Sequence, residues 1–132
     1  MFAGTNAAEF TLGIEIEIEA VEEQRRDLTI TVALYVLRQL LFGTRVDTGR
    51  ARGNWQIAEG RPPTGTVEVF DRAGRLGDTD VVAARSTEIM RLSGDREIWF
   101  HNGLPYIGIL EDLDGMLEGA YQSAVVYVGA LR

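Results

Sequence analysis

Arg45-Val46-Asp47-Thr48-Gly49-Arg50-Ala51-Arg52-Gly53-Asn54-Trp55 divides the chain into two unlike halves. Before it lies a long segment of apolar periodicity; after it come short alternating runs and loops. A carboxylate at Asp47 can accept from the backbone N–H groups just ahead, and Gly49 can adopt a positive φ. A chain leaving a helix can therefore reverse sharply here. Arg50 and Arg52 flank the small Ala51, and residues 54–59 read as an aromatic-led strand. Taken alone, the stretch is a turn carrying two solvated arginines.

Upstream, residues 1–10 are small and polar and are expected to form a flexible arm. Ile14-Glu15-Ile16-Glu17-Ile18-Glu19 alternates strictly, which in isolation suggests a half-buried strand. Carried on to Phe42, spacings of three and four place Ile14, Ile18, Val21, Leu28, Val32, Tyr35 and Val36 on one helical face. Gly and Pro are absent between Ile14 and Phe42, and Gly43 supplies a stop. The preferred reading is one long helix over 14–42, with a strand over 12–19 as the alternative. Ile30, Leu34, Leu37 and Leu41 form a second apolar face, so the C-terminal half of the helix should be wedged into the core. The acids Glu15, Glu17, Glu19, Glu22 and Glu23 suit a solvated face near a helix N-terminus, where negative charge is favourable. A channel lining is the competing role.

Downstream, Gly60-Arg61-Pro62-Pro63 ends the first strand, because proline cannot continue a ladder. Thr66–Phe70 alternates as a second strand would, and 71–77 is loop. Asp78-Thr79 can cap a helix over 80–92 with Val81, Val82, Ala84, Ile89 and Leu92 as its apolar contacts. Glu97–His101 has the strongest strand composition. A last helix over 112–131 carries Leu113, Met116, Leu117, Ala120, Tyr121, Ala124, Val125 and Val128. Its interior glycines, Gly115 and Gly119, each cost about 1 kcal/mol relative to alanine. The order implies one α+β domain over 1–132: a long N-terminal helix, a small antiparallel sheet, one middle helix and a C-terminal helix.

A chain of 132 residues with 45% hydrophobic and 25% charged content fits a single globular domain. With no cysteine, disulfides, thiolate metal sites and cysteine catalysis are excluded. The formal charge of −7 argues against free-standing nucleic-acid binding. All thirteen basic residues are arginine, which favours planar, bidentate pairing. Neither a signal peptide nor a run of about 18 apolar residues is found, so a soluble chain made in the cytoplasm is expected.

The chemistry-bearing residues form no catalytic pattern. His101 is the single histidine, and Ser86, Ser93 and Ser123 lack a nucleophile-elbow context. A strand-end histidine contacting backbone is the expected role. Without lysine no phosphate-binding P-loop can form, and Glu111, Asp112 and Asp114 are explained as acids at a helix start. No enzyme, cofactor or metal site is expected. Trp55, Trp99 and Tyr121 suit core positions, whereas Tyr106 follows Leu104-Pro105 on a loop and suits an interface.

V-D-T-G-R-A-R-G-N-W at 46–55, followed about fifty residues later by N-G-L-P-Y at 102–106 and Glu111, resembles the tail-completion or neck proteins of long-tailed bacteriophages. Arg45 stands where that family often has proline, and Asp112-Leu113 replaces a common aromatic-glycine pair. The resemblance implies a structural virion protein at the head–tail interface that forms a homo-oligomeric ring, generally a hexamer. It implies contacts with a head-completion or connector protein and with a tail terminator or tail tube protein, while DNA crosses the channel without specific binding. Asp47, Thr48, Gly49, Arg50, Arg52, Trp55, Leu104, Pro105, Tyr106 and Glu111 are then the candidate interaction residues. At least one of Arg50 and Arg52 should pair with a carboxylate, Glu111 being the expected partner within the chain. The alternative is a non-viral acidic adaptor or regulatory domain.

Overall fold

The computed structural model describes residues 2–6, 9–14, 22–45, 49–71 and 79–131. Two strands, β1 (Phe2–Asn6) and β2 (Glu9–Ile14), precede a 22-residue helix α1 (Glu22–Gly43). A single helical turn α2 (Arg50–Gly53) leads into β3 (Gln56–Glu59). Helix α3 (Asp80–Met90), strand β4 (Ile98–Asn102) and the helices α4 (Ile107–Asp114) and α5 (Met116–Leu131) complete the chain. The architecture is α+β, with the long N-terminal, middle and C-terminal helices around a small antiparallel sheet.

Helix α1 forms the centre of the core. Val32, Ala33, Val36, Leu37, Leu40 and Leu41 are buried, as is Ile30, so apolar contact surrounds its C-terminal half as the two-faced pattern requires. Burying each of these leucines contributes about 2 kcal/mol. Leu117, Ala120 and Ala124 of α5 pack into the same core, and the rings of Tyr35 and Tyr127 stack at 4.2 Å between the two helices. In α3, Val82 and Ile89 are buried whereas Ala84, expected as a contact, is exposed. Thr79 is the cap anticipated for α3, its side chain accepting from the Val82 N–H.

The sheet order is β1-β2-β4-β3. In place of an N-terminal arm, Phe2–Asn6 pairs antiparallel with β2. β2 in turn pairs with β4, Phe10 opposite Asn102 and Ile14 opposite Ile98. Ile14 therefore belongs to a strand, and the single helix over 14–42 is corrected to one that begins at Glu22. Helical spacing within the segment is outweighed by backbone pairing with a distant strand, whose register the local periodicity cannot contain. The rest of the alternating acidic run, residues 15–19, lies outside the described residues, as do residues 20 and 21.

Two further expectations change. Thr66–Phe70 forms no strand of the sheet; it runs beside α2, held by separate hydrogen bonds. The helix expected over 112–131 is two helices, because Gly115 takes φ 61° and breaks the chain between α4 and α5. The glycine that would weaken a continuous helix instead ends one.

Candidate functional site

The two motif blocks meet. Gly49 has φ 83°, the left-handed geometry anticipated for the turn, and α2 follows at once. A side chain other than glycine is strained in that region. From the second block, the Asn102 side chain donates from Nδ2 to the Ala51 carbonyl at 2.9 Å, while its Oδ1 accepts from the Leu104 N–H. Asn54 is equally buried: its Nδ2 donates to the Arg50 carbonyl and its Oδ1 accepts from the Val67 N–H at 2.8 Å. Two buried amides thus fasten three segments and satisfy backbone groups that no ladder reaches.

Residues 65–71 cross this junction at close range. A Cβ built on Gly53 would collide with the Val69 carbonyl, and one on Gly103 with the Gly65 carbonyl. Both motif glycines are therefore required by the approach of one passing backbone. The Gly65 carbonyl lies 3.0 Å from His101 Nε2, which gives the lone histidine the backbone contact expected of it. Asp71 N donates to the Gly49 carbonyl at 2.9 Å and closes the crossing.

Arg52 and Asp71 form an ion pair at 3.1 Å with both side chains only 3% exposed. Thr79 Oγ1 also donates to the Asp71 carboxylate at 3.0 Å, which ties the start of α3 to the junction. The Arg52 guanidinium lies 5.8 Å from the Phe42 ring centroid. Arg50 approaches Glu68 at 3.9 Å on the surface. An arginine–carboxylate pair is present as expected, but its acid is Asp71 rather than Glu111. Nothing in the local pattern marks Asp71, whose loop looks solvated in sequence.

Glu111 has a different task. Its carboxylate accepts from the Leu117 N–H at 2.7 Å and from the Glu118 N–H at 3.1 Å, and so caps α5 across the Gly115 break. Acids near a helix start were expected here; the structure places Glu111 late in α4 and directs it onto the next helix. Asp114 sits beside it in an ion pair with Arg45 at 2.7 Å. Hydrogen bonding from Arg45, reinforced by its charge, holds the Asp114 carboxyl below its ordinary pKa.

The remaining candidates divide by exposure. Trp55 is fully buried and donates from Nε1 to Thr44 Oγ1 at 2.9 Å; that hydroxyl donates to the Leu40 carbonyl at 2.6 Å. Leu104 is fully buried, Tyr106 is half-buried against the core, and Pro105 is exposed. Asp47 and Thr48 lie outside the described residues. The motif is thus chiefly an internal junction, with Pro105, Tyr106 and Arg50 at its surface. Among the described residues no group of acids and histidines is arranged to hold a metal, and no helix is long and apolar enough to cross a membrane.

Glu59 is a polar anchor missed in sequence. Its carboxylate accepts from the Ser93 hydroxyl at 2.9 Å, the Ser93 N–H at 3.1 Å and the Gly94 N–H at 2.7 Å. Burial pushes the group up, but these bonds and one from the Arg96 backbone outweigh it and hold the pKa below the ordinary value. Comparisons with protein-family models, with curated proteins and with solved structures give no match.

Proposed function

We propose that this chain is a structural virion protein of the bacteriophage neck, a ring subunit that completes the tail and joins it to the head-completion or connector protein. The observation that supports the reading is the union of the two signature-like blocks, separated in sequence and linked by Asn102 to Ala51. Motif glycines that serve a backbone crossing, and amides that fasten it, suit a fold-defining signature rather than a reaction centre. In this role the chain contacts its own copies, the connector and the tail terminator or tube. DNA passes through the channel without specific binding, consistent with a formal charge of −7 on each subunit. No enzymatic step is assigned.

Native mass spectrometry and electron microscopy of the purified chain, alone and mixed with connector and tail-tube proteins, test the reading. A closed ring that seats on one of these partners is expected. A chain that stays monomeric in both settings overturns it.

A further inference from the structure

We propose that copies of this chain join head to tail, the corner at the end of α3 in one copy docking on the α4 corner of the next. The inference rests on the ring reading and names the surfaces that build the ring. One corner is apolar with an arginine border. Met90 is 54% exposed; exposed Arg91 follows it, and exposed Arg96 and Arg61 lie on the adjoining segments, which the Glu59 bonds to Ser93 and Gly94 tie to the end of α3, so that three arginines outnumber the exposed Asp95. The paired ends of β3 and β4 bring Arg61 and Arg96 together: Gly60 N donates to the Glu97 carbonyl at 2.9 Å, and a side chain at Gly60 would touch Arg96.

The other corner is apolar with an acidic border. Ile109 and Leu113, one turn apart on α4, are 63% and 64% exposed. Asp112 stands exposed between them in sequence and Glu118 is exposed at the start of α5. The two corners lie at opposite ends of α1. Arg26 near its start donates to the Leu92 carbonyl at 3.2 Å, beside the arginine corner. Arg45, just beyond its end, pairs with Asp114 at the acidic corner. The 22 residues of α1 hold them roughly 33 Å apart.

One chain therefore carries two exposed apolar centres whose charged borders are opposite in sign. Within a single molecule they cannot meet. Between copies, each covers the other's apolar side chains and pairs arginine with carboxylate, while like-charged corners repel. A contact between two different surfaces of the same chain repeats from copy to copy and, where its rotation closes, builds the ring of the proposed function. The occupant is thus a second copy, and the contact is heterologous rather than two-fold.

Charge reversal provides a test with distinct outcomes. R91E/R96E makes both corners acidic, and D112R/E118R makes both basic. Native mass and sedimentation should show wild-type rings and, for each variant alone, association weakened about tenfold or more. An equimolar mixture of the two should regain rings in which the variants alternate. Unchanged far-UV circular dichroism of each variant is expected, because all four positions are exposed. Wild-type rings that both variants reproduce alone overturn the proposed contact and leave the ring reading standing. A wild-type chain that remains monomeric alone and with the neck proteins overturns both.

Discussion

The junction around α2 and the corner around α4 invert the usual rule of polar outside and apolar inside. At the junction, Arg52, Asp71, Asn54 and Asn102 are buried and hydrogen-bonded within the chain. At the corner, Ile109, Asp112 and Leu113 are exposed. Buried polar groups stabilise only when their partners are present, so the junction tolerates little change. Exposed groups contribute little to the isolated fold, whatever they do between molecules. A signature in sequence can therefore mark internal scaffolding, while the exposed Ile109, Asp112 and Leu113 lie outside it.

The largest effect should come from Asp71→Ala. It leaves the buried Arg52 guanidinium uncompensated and removes the acceptor of Thr79, so a loss of about 4 kcal/mol is expected in urea unfolding. A loss below 1 kcal/mol would place the pair outside the scaffold. Next is Gly53→Ala, whose new methyl group meets the Val69 carbonyl; about 3 kcal/mol is expected from the overpacked backbone. Thermal melting with an unchanged midpoint would show that residues 65–71 can move away freely.

Glu59→Gln should cost about 1 kcal/mol at neutral pH through weakened hydrogen bonds to Ser93 and Gly94. The folded-state pKa of Glu59 is lowered, so its stabilisation is full above the unfolded carboxyl value and is lost as pH falls through the lowered one. Unfolding measured down this range should show wild type and variant converging in acid; a constant gap would assign the cost to packing. The smallest effect belongs to Leu113→Ser, within about 0.5 kcal/mol of wild type, because the side chain already faces solvent. A large destabilisation there would erase the contrast between corner and junction.

Periodicity made most helices and the best strand legible. The two-faced pattern of Ile30, Leu34, Leu37 and Leu41 forecasts a wedged helix, and Thr79 and Gly43 mark real ends. The positive φ of Gly49 was also legible, since few residues accept that geometry. What escaped depends on partners remote in sequence. Ile14 follows β4 rather than its helical neighbours, and residues 65–70 run outside the sheet to cross two glycines. In the candidate site, an arginine–carboxylate pair could be anticipated from Arg50 and Arg52. The choice of Asp71 over Glu111 depends on the path of a loop, which no spacing encodes.

The register of β2 also sets an order of events during synthesis. Phe10 leaves the ribosome early, yet its partner Asn102 is made 92 residues later. At common elongation rates of about 5–20 residues per second, that interval is roughly 5–18 s. Throughout it the N-terminal hairpin has no third strand, and a two-stranded hairpin alone is marginal in water. Translation speed thus sets how long the paired β1 and β2 wait before β4 can complete the sheet.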